Sequence, residues 1–153
     1  MYKKCFLSGL LALTLLNHPC FGSCTVAVGA IGFGNFNPFQ PAPININSQL
    51  SIQCNALSPI VNYSIALSTG LGGGFNPRQM LSGLNTLNYN LYTAANLVTI
   101  WGDGTGGTGV ISANLATCLL APCLYTVYGQ LPAPQPTAHV GAYSDTITAT
   151  VTY

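Results

Sequence analysis

Along most of this chain apolar and polar side chains alternate with a period of two, the spacing of a strand that buries one face. Leu50, Ile52 and Cys54 alternate with Ser51 and Gln53, and Val61, Tyr63, Ile65 and Leu67 with Asn62, Ser64, Ala66 and Ser68. Leu87, Tyr89 and Leu91 against Asn88 and Asn90 predict another strand, Tyr125 to Leu131 another, and "CTVAVGAIGFG" a first one ending in glycines. In the last, Tyr143, Ile147, Ala149, Val151 and Tyr153 face one way, while Ser144, Thr146, Thr148, Thr150 and Thr152 face the other. Asp145 interrupts its apolar side, which suits a hydrogen-bonded turn or strand entry. Turn-rich segments separate the strands: "NPFQPAP", "STGLGGGFNP", "WGDGTGGTG" and "LPAPQP". Six or seven short strands predict an all-β chain, an antiparallel β-sandwich of the immunoglobulin type. The final strand is highly regular, yet no further strand follows it to cover its other edge.

The N-terminus changes how much of the chain enters that fold. Lys3 and Lys4 precede an apolar run from Cys5 to Leu16, and Pro19 then breaks the helix. The run is short for a bilayer span, so it predicts a cleaved secretory signal rather than an anchor. Gly22 and Ser23 place cleavage near Gly22, giving a signal over 1–22 and one domain over 23–153. A rival reading takes "FGSC" as a lipoprotein box with Cys24 acylated, but Phe21 sits where such boxes carry Leu. About 130 residues are enough for one core and too few for two.

Removal of the signal also removes both lysines and leaves Arg78, Asp103 and Asp145 as the only charged side chains, with His139 the only histidine. Such a surface has no cationic patch for nucleic acid. It also lacks the charge by which soluble monomers resist association, so it points to burial in an assembly. After residue 22 no stretch is long and apolar enough for a membrane helix, and no membrane anchor is expected.

Four cysteines then remain, Cys24, Cys54, Cys118 and Cys123, and three pairings are possible in an oxidising compartment. Spacing favours Cys24 with Cys54, and Cys118 with Cys123 across "CLLAPC". A zinc site is disfavoured because His139 is isolated, and no metal or other cofactor is expected. A Ser-His-Asp triad has no marked serine. Gly104, Gly106 and Gly109 satisfy G-x-G-x-x-G literally, but no helix pattern follows, so they read as a glycine hairpin after Trp101. Asp103 has no neighbouring carboxylates for calcium. The sequon at Asn62 lies inside a predicted strand. Most aromatic residues read as core. The exceptions are apolar residues in predicted loops, where exposure would make them adhesive contacts: Phe36, Pro38 and Phe39, and Leu119, Leu120, Ala121 and Pro122.

Cys24 followed by "FGNF", then "LSIQC", "YSIALSTG", "RQM", "LNYNLY", "WGDGTGG", "YTVYGQLPAPQ" and "GAYSDTITATVTY" run in this order through nearly the whole chain beyond the signal. Together they resemble the spore coat protein U-like domain family, found in subunits of archaic chaperone-usher pili. The resemblance implies an immunoglobulin-like fold lacking its final strand, without catalysis. It implies an acceptor groove lined in part by Tyr143, Ile147, Ala149, Val151 and Tyr153. That groove would be filled first by a periplasmic pilus chaperone and then by a donor strand from another pilin subunit, with an outer-membrane usher as a further partner. The product would be exported through the periplasm to a pilus or cell surface, or secreted, and would promote adhesion or biofilm formation.

Polymerising pilins of the family carry a donor extension before the first cysteine, whereas cleavage near Gly22 leaves only Ser23 there. This departure points to a subunit that accepts a strand without donating one, at a tip-like position. Tip adhesins resemble two-domain chains of which this one matches the first, so a truncated product, half of a split adhesin and another exported role stay open. The main competitor is a stand-alone secreted carbohydrate- or surface-binding module, closed internally by another segment. An exported enzyme is the third reading.

Overall fold

The computed structural model describes residues 23–55, 62–114, 118 and 121–152. The expected signal over 1–22, together with Val61, Leu119, Leu120 and Tyr153, lies outside the described residues. Eight strands follow in order: β1 (Ser23–Val28), β2 (Ile44–Asn55), β3 (Asn62–Leu67), β4 (Arg78–Ser82), β5 (Asn85–Tyr92), β6 (Ile111–Asn114), β7 (Cys123–Leu131) and β8 (Ala149–Thr152). They form a five-stranded sheet in the order β1-β2-β7-β5-β4 and a three-stranded sheet in the order β6-β3-β8. Every strand pairing is antiparallel, and the result is the all-β, immunoglobulin-like sandwich that the alternation predicts.

The alternation becomes the core directly. Leu50, Ile52 and Cys54 of β2, Tyr63, Ile65 and Leu67 of β3, Leu87, Tyr89 and Leu91 of β5, and Val127 and Leu131 of β7 are all buried. Each large aliphatic side chain so removed from water contributes about 1.5–3 kcal/mol. Trp101 fills the centre at 0 % exposure and donates its indole N–H to the Ile65 carbonyl at 2.9 Å. Both disulfides favoured by spacing are present, Cys24 with Cys54 and Cys118 with Cys123. The first joins directly opposed residues of β1 and β2.

Four elements differ from the sequence reading. β2 starts at Ile44 rather than near Leu50, because "ININSQ" continues the alternation, which its asparagines and the preceding Pro41 and Pro43 disguise. β4 is hidden because Arg78, a charged residue, takes an inward position, and β6 is only four residues long. The last strand, whose alternation runs from Tyr143 to Tyr153, is a strand over Ala149–Thr152 among the described residues. Its N-terminal part crosses between the two sheets. Ser144 exchanges both backbone hydrogen bonds with Leu81 of β4, at 2.8 and 3.0 Å, and Thr148 then accepts from Ser68 beyond the end of β3 at 2.9 Å.

Candidate functional site

A groove opens between the segment that follows β1 and the segment that leads into β8. One part of it, a cavity of about 690 Å³, lies between residues 31–38 and 138–143 over Met80, Leu87 and Leu131. The adjoining part, about 420 Å³, lies between Val28–Phe33 and Tyr143–Ile147 over Met80, Tyr89 and Leu91. Phe33 belongs to both and meets the Tyr89 ring edge-on at 5.9 Å. The lining is mostly apolar, as a site that takes an apolar strand requires.

The strand register explains why the groove is open. Val26 and Val28 pair with Ile52 and Leu50, so their side chains point to the core side of the sheet. Ile52 and Leu50 are fully buried, yet Val26 is 37 % and Val28 53 % exposed. Among the described residues, the opposing three-stranded sheet ends at β8, and no strand lies beyond it to cover β1. Two apolar side chains thus face inward onto space.

The wall at the C-terminal side has a matching free edge. Tyr143, Asp145, Ile147, Ala149 and Val151 are half-buried, whereas Ser144, Thr146, Thr148, Thr150 and Thr152 are exposed. Ser144 and Thr148 direct their backbone groups to β4 and β3. Successive residues of an extended chain point their N–H and C=O to opposite sides, so Tyr143, Asp145 and Ile147 direct theirs to the open side. Tyr143 and Ile147 line the groove, and Ala149 and Val151 continue the same face against the core. Tyr153 lies outside the described residues.

Asp145 is the exception on this face, and a polar network accounts for it. Its Oδ1 accepts from the Leu71 and Thr146 backbone N–H, both at 2.7 Å, and its Oδ2 accepts from the Tyr89 hydroxyl at 2.6 Å. Gly70, with φ +77°, passes so close that a Cβ there would fall inside the carboxylate. Arg78 lies behind, fully buried. It donates through Nε and Nη2 to the Ser68 carbonyl (3.1 and 2.9 Å), through Nη2 to the Trp101 carbonyl (2.6 Å) and through Nη1 to Asn90 Oδ1 (3.4 Å). Its guanidinium also sits 5.1 Å from the Phe75 ring centroid. Burial lowers the Arg78 pKa, and the nearby Tyr89 and Asp145 oppose that shift. Ser68, Gly70, Arg78, Tyr89, Asn90, Trp101 and Asp145, drawn from five of the quoted sequence motifs, therefore form one connected structure beside the groove.

The other residues singled out from sequence fall elsewhere. Phe36 is half-buried and packs against the core, Pro38 is half-buried in the groove lining, and Phe39 is 75 % exposed. Ala121 and Pro122 are exposed, while Leu119 and Leu120 lie outside the described residues. His139 is exposed at the groove mouth, 690 Å³ part included, and its carbonyl accepts from the Tyr143 hydroxyl at 2.8 Å. Asp103 is taken up within its own loop by the Thr105 hydroxyl and backbone N–H, and those bonds hold its pKa low. Among the described residues no cluster of ligating side chains suits a metal. Sequence reasoning missed Val28, Ile31, Phe33 and Met80 as groove residues, because nothing in a period-two pattern tells a covered inner face from an uncovered one.

The buried tyrosines impose a pH limit. Burial, and then the hydrogen bond to Asp145, push the Tyr89 hydroxyl well above its ordinary 10.0; burial, and then the bond to Tyr125, do the same for Tyr63. The folded chain thus holds these protons more tightly than the unfolded chain does. Their contribution is fully present below pH 10 and is lost as pH rises beyond it. The urea midpoint should stay flat from neutral pH to about 9 and fall steeply above about 10, and Tyr89→Phe should reduce that fall.

Comparison with known proteins agrees with this fold. The family model of the Spore Coat Protein U domain matches residues 11–150. Among curated proteins, no sequence matches the chain. One similar solved structure is the CsuC–CsuE chaperone–tip adhesion subunit pre-assembly complex from archaic chaperone-usher Csu pili of Acinetobacter baumannii. It has a TM-score of 0.59 and 19 % identity, over 87 % of this chain and 40 % of that one. Another is a chaperone–tip adhesin complex of CFA/I fimbriae, with a TM-score of 0.50 and 12 % identity, over 84 % of this chain and 41 % of that one. This chain therefore spans about two fifths of the length of either neighbour, and at these identities the likeness shows the fold. The chain belongs to the Spore Coat Protein U domain family, a structural and non-catalytic one.

Proposed function

We propose that this protein is a subunit of a chaperone-usher pilus or coat, exported behind the signal over 1–22, and that the groove accepts a strand from another chain. The observation that carries the reading is the exposure of Val26 and Val28 on the inward face, opposite a strand edge whose N–H and C=O groups point into the opening. An added strand would satisfy those groups and cover both valines, the usual logic of strand addition. Tyr143, Ile147, Ala149 and Val151 form the acceptor side; Tyr153, the fifth residue expected there, lies outside the described residues. A periplasmic chaperone occupies the groove first and another subunit later, with an usher handling export.

A tip-like place in the fibre is supported by the two neighbours, each a tip subunit seen with a chaperone. Adhesion or biofilm formation would use exposed apolar loops, of which Phe39, Ala121 and Pro122 are the described members. The test is production of the full chain in a periplasm with and without its cognate chaperone. Soluble protein should depend on the chaperone and copurify with it; abundant stable monomer in its absence contradicts the proposal.

A further inference from the structure

The structure assigns Asp145 a role in choosing the incoming strand: opposite it, the strand presents a neutral hydrogen-bond donor, a hydroxyl or amide, rather than an apolar side chain. This rests on the strand-acceptor reading above and adds a specificity to it. The 420 Å³ part of the groove is lined by Ile31, Phe33, Met80, Leu91, Tyr143 and Ile147, and Asp145 also lines it. A carboxylate offers about four lone-pair positions. Three are occupied, by Leu71 N–H and Thr146 N–H on Oδ1 and by the Tyr89 hydroxyl on Oδ2. One remains, on Oδ2.

In the isolated groove water can meet that position. A strand that closes the groove displaces the water, and an apolar side chain there leaves a charged oxygen short of a partner. A hydroxyl or amide restores it. A lysine would add a buried charge beside the Asp145 carboxylate and the fully buried Arg78 cation, whose charges already offset each other. An aspartate would repel the carboxylate at close range. The neutral donor is the one class that fits without leaving a charge uncompensated.

The experiment uses the full chain, extended after Tyr153 by a flexible linker and a strand of about nine residues. Its inward positions are valine, replaced one at a time by threonine or aspartate. Groove closure is read as the protection of the Tyr143 and Ile147 amides from exchange. At one inward position threonine should raise protection at least about tenfold over valine, its isostere, and aspartate should lower it. Asp145→Asn should remove the threonine advantage. The comparison in the unaltered chain decides the matter even if that variant does not fold, since an all-apolar groove would favour valine at every position. Valine equal to or better than threonine throughout, with the groove closed, overturns the assignment and leaves strand acceptance intact. Failure of every strand to raise protection overturns strand acceptance itself, and this assignment with it.

Discussion

Arg78→Met should lower the stability of the chain by about 3–5 kcal/mol, a large share of the 5–15 kcal/mol typical of a domain. Methionine fills much of the same volume but donates nothing. The Ser68 and Trp101 carbonyls and Asn90 Oδ1 would all lose a donor that comes from a fully buried side chain. The Asp145 carboxylate would lose its nearest countercharge at the same time. Arg78→Lys should fall between the two, because one ammonium keeps the charge but cannot reach all of these acceptors from one point. Urea titration followed by the fluorescence of Trp101 measures both variants directly. A change below about 1 kcal/mol for Arg78→Met would show that the network is not what binds the motifs together.

The second large effect concerns the opposite wall. Replacing Cys24 and Cys54 together by serine should cost about 3–4 kcal/mol, since the bridge closes a loop with a separation of 30 residues. Among the described residues β1 pairs only with β2 and leaves Val26 and Val28 uncovered, so without the bridge it gains little from burial. The double variant should therefore lose the groove wall before the rest of the fold. Exchange at the amides of Thr25 to Val28 should rise more than at Ile65 or Val127. A uniform rise across the chain would instead mean that the bridge acts on the whole domain alike.

How much of this was legible in the sequence depends on the kind of signal. The period-two runs around Ile52, Ile65, Tyr89 and Val127 marked buried strands correctly, because burial of one face leaves its trace in residue type. Arg78 concealed β4, since a buried guanidinium looks in sequence like a surface charge. Asp145 was visible as a break in the apolar side of the last strand. Its partners, Leu71 N–H and the Tyr89 hydroxyl, lie 74 and 56 residues away and emerge only from packing. The family resemblance named the C-terminal residues, of which Tyr143 and Ile147 line the opening. The other wall, from Val28 to Phe33, could not be foreseen, because whether an inward valine is covered depends on the strand count of the opposing sheet.

The central claim, that the edge of the C-terminal segment is open to a strand from another chain, is tested most directly by residue-resolved amide exchange on the isolated chain. The account predicts protection that alternates: Ser144, Thr148, Thr150 and Thr152 slow, and Tyr143, Asp145, Ile147, Ala149 and Val151 fast, with the second set becoming slow once a complementing strand is supplied. Slow exchange of both sets in the isolated monomer would mean that the sandwich already closes on itself, and would contradict it.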